Sequence, residues 1–109
     1  MENAGLAAFE AIRREFAVKG TRFLVVAGVG NNGGDGFVVA RRIVSEGGAA
    51  SVLIVGDKGR CRGAALTNLE ILERLKVPLA VCAASDDASG AVAGCDVVVE
   101  ALFGTGLAR

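Results

Sequence analysis

The sequence predicts an α/β protein, a three-layer α/β/α arrangement around a Rossmann-like, doubly wound and mostly parallel sheet. Three observations predict it. Short apolar runs rich in Val alternate with stretches of helical period along all 109 residues. The connections between them are short, as right-handed crossovers between parallel strands require. The glycine-rich and polar connections GVGNNGGDG, GDKGR and EALFGTG all follow strands, on the side where such sheets bind ligands.

Taken in order, Phe9, Ile12 and Phe16 recur at helical spacing with Glu10, Arg13, Arg14 and Glu15 on other faces, and Gly20 closes that amphipathic helix. Arg22 to Ala27 (RFLVVA) is a continuous apolar run, expected as a strand buried on both faces. After the loop GVGNNGGDG, the segment FVVARRIVSEG reads as a helix ended by Gly47 and Gly48. Ser51 to Val55 is a second strand with GDKGR as its exit loop. Ala64 to Lys76 is a helix with Leu69, Leu72 and Leu75 on its buried side. Pro78 to Cys82 is a third strand, a weak helix occupies Asp86 to Ala93, and Asp96 to Val99 is a fourth strand leading into EALFGTGLAR. A fourth strand without a neighbour is a poor edge, so residues 1–109 are expected to form a single partial domain whose C-terminal part is absent.

Composition narrows the chemistry. The chain is 52% hydrophobic, enough for a packed core, and Lys plus Arg equals Asp plus Glu at 12 each. That balance offers no basic field for nucleic acid and no polybasic face for a membrane. No apolar run approaches the roughly 20 residues of a spanning helix. Glu2, Glu10 and Glu15 at the start are unlike a secretory signal, which points to the cytoplasm. There is no His, so Ser-His-Asp and Cys-His systems are excluded. Cys61, Cys82 and Cys95 form no CxxC pair and read as reduced thiols, two of them core-like by their apolar neighbours.

The first loop carries the sharpest signal. Gly28, Gly30 and Gly33 satisfy GxGxxG between a strand and a helix, where backbone can approach phosphate at a helix N-terminus. An ordinary dinucleotide fold also places an acid at the end of the second strand, about 20 residues on, to hold the ribose. Val55 and Gly56 stand there, and Asp57 comes later, in the loop. Asn31 and Asn32 set the loop apart, since adjacent amides can orient a sugar, an amide or a hard cation. The plainer alternative is a tight turn of Asn and Gly, with Asp35 capping the helix.

GVGNNGGDGFVVAR resembles the signature of the YjeF N-terminal-type family of NAD(P)H-hydrate epimerases. MENAG resembles the family's first-helix motif, the spacing Ala65 to Asn68 a segment after its second strand, and VVVEALFGTGL its fourth-strand motif. The resemblance implies an isomerase of nicotinamide nucleotide repair, interconverting the R and S forms of hydrated NADH and NADPH. It implies that Asn31, Asn32, Gly33, Gly34 and Asp35 line the substrate site. Gly104, Thr105, Gly106, Leu107, Ala108 and Arg109 would cradle the pyrophosphate from the other side. It further implies a potassium ion held by Asn32 and by position 100, where this chain has Glu100 and the family usually has Asp. The catalytic residue is implied to be an Asp of a later Asp-x-Pro-Ser-Gly segment, which these residues do not contain. A homodimer and a fused or separate ADP/ATP-dependent dehydratase are the implied partners.

Other polar residues have two readings each. Lys58 and Arg60 leave the second strand on the ligand side and either face an adenosine phosphate or stand solvated. Asn68 either hydrogen-bonds a loop or is merely exposed, and Asp86 and Asp87 start a helix. Two competing functions differ in class. A non-catalytic nucleotide-binding or dimerisation module would be expected to lose Asn31, Asn32 and Asp35. A conventional NAD- or S-adenosylmethionine-dependent enzyme would carry an acid where Val55 and Gly56 stand.

Overall fold

The computed structural model describes residues 2–83, 94–101 and 106–108. Helix α1 (Glu2–Glu15) leads through a turn at Gly20 (φ 84°) into strand β1 (Arg22–Ala27). Helix α2 (Asn31–Ser45), strand β2 (Ala49–Val55), a 3-10 turn (Lys58–Arg60) and helix α3 (Gly63–Arg74) follow. Strands β3 (Leu79–Cys82), β4 (Val97–Ala101) and β5 (Gly106–Ala108) complete the order. The expected helix at 86–93 lies outside the described residues.

The sheet runs β3-β2-β1-β4-β5, with the first four strands parallel and β5 antiparallel to β4. The strand order reverses at β1, so β1 and β4 flank the switch point where open α/β sheets bind ligands. β5 was not expected. It gives β4 the neighbour that the sequence denied it, pairing Glu100 with Gly106 and Val98 with Ala108.

Strand alternation builds the core. Phe23, Val25 and Ala27 from β1, Val52 and Ile54 from β2, and Val97 and Val99 from β4 share one face. Phe9 and Ile12 of α1, Phe37 and Ile43 of α2, and Leu69 and Leu72 of α3 close over that face. Phe16 meets Phe23 edge-on with ring centroids 6.5 Å apart, which ties the end of α1 to the start of β1. Truncating any of the fully buried Phe, Ile or Leu side chains would cost about 2–5 kcal/mol.

Helix α2 departs most from expectation. It begins at Asn31 rather than Phe37, so NNGGDG is helix and not loop. Glycine weakens a free helix by about 1 kcal/mol per residue, and packing supplies the reason it is used. A Cβ on Gly36 would stand 2.8 Å from Ala101 Cβ and 3.1 Å from Val25 Cγ1. Gly5 of α1 likewise meets Val38, at 2.6 Å. The glycines let α2 lie close on the β1–β4 seam and let α1 cross close on α2.

Leu75 and the cysteines correct the sequence reading. Leu75 is 48% exposed instead of buried, because α3 ends at Arg74 and the left-handed Lys76 (φ 59°) turns the chain away. Of the cysteines only Cys61 joins the core; Cys82 and Cys95 are half-buried.

At the amino ends of the strands, Arg22 locks β4 to β1. Its backbone N–H and its guanidinium donate to the Asp96 carboxylate at 2.9, 3.1 and 3.4 Å, while Asp96 N–H donates to the Arg22 carbonyl at 2.8 Å. Hydrogen bonds from Arg22 hold the Asp96 carboxyl below the usual range and raise the guanidinium in turn.

Candidate functional site

The carboxyl ends of β1 and β4 meet at the switch point, and the glycine-rich stretch that leaves β1 begins there. Ala27 is in register with Ala101, and the Gly28 N–H donates to the Ala101 carbonyl at 3.3 Å. The loop leaving β1 therefore stays stitched to the last residue of β4. Three residues later α2 starts, with its first turns set over the seam.

The distances to the glycines define two different tasks. A Cβ on Gly33 would lie 1.6 Å from the Gly28 carbonyl oxygen and 2.5 Å from its carbon, a clash with backbone that no rotamer relieves. A Cβ on Gly30 would meet nothing within 4 Å among the described residues. Gly33 is required by the fold, whereas Gly30 leaves open space at the helix start.

Gly30 is the N-cap of α2, in extended conformation, with no side-chain hydrogen bond capping the helix and no acid in the first turn. The leading N–H groups thus have no capping side chain among the described residues, and the helix dipole places partial positive charge there. This geometry suits an anion. Asn31 and Asn32 occupy the first turn. Asp35 stands half-buried in the second turn, so the reading of Asp35 as the helix cap is overturned.

Glu100 is the penultimate residue of β4, opposite Val26 of β1 and Gly106 of β5. Alternation puts it on the sheet face away from α2, since its neighbours Val99 and Ala101 face the helix. It is half-buried. A carboxylate near the carboxyl end of β4 and an amide in the first turn of α2 are donor types that suit a hard cation. Of the expected pyrophosphate cradle, Gly106, Leu107 and Ala108 form β5 beside β4, while Gly104, Thr105 and Arg109 lie outside the described residues. Asp86 and Asp87 also lie outside them.

The remaining candidates resolve differently. Lys58 Nζ donates to Glu73 Oε2 at 2.6 Å and so staples the β2 exit to α3 instead of facing ligand. Asp57 caps the 3-10 turn by accepting from Gly59 N–H at 2.9 Å. Asn68 is buried and donates to the Ala64 carbonyl one turn back at 3.0 Å, so it is neither exposed nor a bare interruption of the helix face. Two apolar hollows lie elsewhere, one around Leu24, Ser51, Leu53 and Ala80, the other around Arg22, Ala49 and Cys95 at the amino ends.

With this geometry in hand, comparison with known proteins is informative. The sequence family described as YjeF-related protein N-terminus matches residues 1–109. The bifunctional NAD(P)H-hydrate repair enzyme Nnr of Moorella thermoacetica is 41% identical over 97% of this chain and 21% of its own length. The NAD(P)H-hydrate epimerase of Rhodobacter capsulatus is 37% identical over 100% of this chain and 52% of its own length. The crystal structure of yeast ynu0 superposes with a TM-score of 0.65 at 32% identity, covering 73% of this chain and 35% of that one. The chain thus spans about half the length of one curated relative and about a fifth of the other.

Proposed function

The chain belongs to the family of YjeF-related protein N-termini, and on that premise we propose that it carries the nucleotide-binding part of an isomerase that interconverts the R and S forms of hydrated NADH and NADPH. One observation carries the reading: a fold-enforced, uncapped helix N-terminus at the β1–β4 switch point, within the NNGGDG stretch. Relatives that match essentially the whole chain and are named NAD(P)H-hydrate epimerase support it.

In this proposal Asn31, Asn32, Gly33, Gly34 and Asp35 line the substrate site, and residues 104–109 bind the pyrophosphate. The substrate carries a hydroxyl on the carbon next to the ring nitrogen. The nitrogen lone pair expels that hydroxyl as a proton is delivered to it, leaving a planar ring, and readdition of water to the other face inverts the centre. One carboxylate serves as acid in the first step and base in the second. We assign that role to an Asp in a later segment of the parent protein. The residues of this chain hold the nucleotide so that the planar ring stays near that group.

Potassium fits the donor types present. Glu100 and Asn32 would hold it, and it would supply fixed positive charge beside the nucleotide. A homodimer, and a dehydratase activity fused to or acting beside the epimerase, complete the proposal; the name of the Moorella relative, a bifunctional repair enzyme, is consistent with fusion. No helix among the described residues is long and apolar enough to cross a membrane, and we place the protein in the cytoplasm with its nucleotide substrates.

The test starts from one pure epimer of hydrated NADH and follows the other by chromatography. The intact protein is expected to bring the two to equilibrium faster than buffer alone. An unchanged rate at high protein concentration would overturn the assignment.

A further inference from the structure

The loop that leaves β2 is held from several sides, yet one of its cations is unused. Gly56 turns the chain at φ 120°, beside Val29 of the β1 exit. Asp57 accepts from Gly59 N–H through its side chain and from Arg60 N–H through its carbonyl, both at 2.9 Å. Cys61 is sunk in the core at 1% exposure and anchors the loop from below. Lys58 is pinned to Glu73, and Arg62 Nη1 folds back to donate to the Gly59 and Cys61 carbonyls. Arg60 is exposed, and its guanidinium has no partner among the described residues.

The position gives that cation a use. A nucleotide whose pyrophosphate sits at the start of α2 directs its adenosine along the strand ends, and the exit of β2 is the adjacent stop. There a carboxylate would bind the bare ribose 2′-hydroxyl, whereas an Arg accommodates a 2′-phosphate. β2 ends at Val55, Gly56 follows it, and the two acids nearest Arg60 among the described residues are committed, Asp57 to capping the 3-10 turn and Glu73 to Lys58. Among the described residues no uncommitted carboxylate stands there to select the unphosphorylated ribose or to repel a phosphate. The planar fork of Arg60, carried on a loop already ordered, can meet a phosphate with little further loss of freedom.

We infer that Arg60 reads the 2′-phosphate on the adenosine ribose, so that the site favours hydrated NADPH over hydrated NADH. The inference rests on the nucleotide site proposed above, and the experiment separates the two. In the intact protein, Arg60→Gln should raise KM for hydrated NADPH about tenfold, the scale of one lost charge-assisted contact. KM for hydrated NADH, kcat for both and Tm should stay unchanged, and Arg60→Lys should restore part of the loss. Equal losses on both substrates would move Arg60 to the shared pyrophosphate and overturn the inference, as would no loss on either. A binding arm needs no turnover: NADP+ should bind the wild type more tightly than NAD+, and Arg60→Gln should erase the difference. A protein that epimerises neither substrate overturns the proposed function, and the binding arm then still decides the role of Arg60. Equal affinity of the wild type for NADP+ and NAD+ refutes it.

Discussion

Replacing Gly33 with alanine should destabilise the protein even though alanine is the better helix former. Intrinsic propensity favours the substitution by about 0.5–1 kcal/mol. Against that stands a Cβ placed 1.6 Å from the Gly28 carbonyl oxygen, far inside the 3.0 Å that real Cβ atoms respect. Both partners are backbone, so relief requires moving α2 off the β1 exit by more than an ångström. That movement would break the Gly28 hydrogen bond to Ala101 and loosen the contact of Gly36 with Ala101. Overpacking typically costs about 1–3 kcal/mol, and a backbone clash belongs at the upper end. Net of propensity, the loss should be about 2 kcal/mol, a fall in Tm of about 8–16 °C for a domain near this size. Thermal melts followed by circular dichroism measure it. Gly36→Ala, whose close neighbours are side chains, should lose less. An unchanged or higher Tm for Gly33→Ala would refute the view that packing, not loop flexibility, places these glycines.

Three further outcomes are expected. In the intact protein Asn32→Ala should lower epimerisation at least tenfold, the scale of one lost polar contact to substrate, whereas Lys58→Ala breaks an exposed pair with Glu73 worth about 0–1 kcal/mol and should leave the rate nearly intact; equal losses in the rate assay would contradict the division. If Glu100 helps hold potassium, exchanging sodium for potassium should raise Tm by mass action, Glu100→Gln should abolish most of that rise, and Glu100→Asp should keep it. Asp96, whose carboxyl is held below its usual range by Arg22, stabilises the fold at neutral pH and down to the ordinary carboxylate value, and that contribution is lost as pH falls through its lowered value. Acid unfolding followed by fluorescence of a bound dye should therefore be less steep in Asp96→Asn than in the wild type.

How far the sequence could be read depended on whether local chemistry or distant contacts decided the outcome. β1 was legible to the residue because RFLVVA is bounded on both sides by residues that do not continue it. The start of α2 was not, since propensity argues against helix in NNGGDG and only the approach to Gly28, Val25 and Ala101 overrides it. The third glycine of GxGxxG, used in such folds for close helix–strand packing, was the available hint. β5 is three residues long and exists by pairing with β4, which no local pattern announces. Cys61 lies between two arginines in sequence and in the core in space, because those charges turn outward and back to carbonyls. The pairing of Lys58 was out of reach of the sequence for a similar reason: its partner Glu73 lies on the next helix. In the candidate site the motif announced a glycine-rich junction between β1 and α2, while the division of labour between Gly30 and Gly33 needed coordinates.

The central claim, that the start of α2 is left uncapped for substrate, is tested most directly by Gly30→Ser in the intact protein, with Tm and epimerisation kinetics measured on the same preparation. A serine at residue 30 meets no described residue within 4 Å of its Cβ and can accept from the N–H groups of the first turn, as a good N-cap does. Stability should hold or rise by a few tenths of a kcal/mol. Substrate should then compete with that hydroxyl for the same donors, raising KM several-fold for hydrated NADH and NADPH alike. A protein made no less stable, with KM and kcat unchanged on both substrates, would contradict the claim and leave the N-terminus of α2 a purely structural feature.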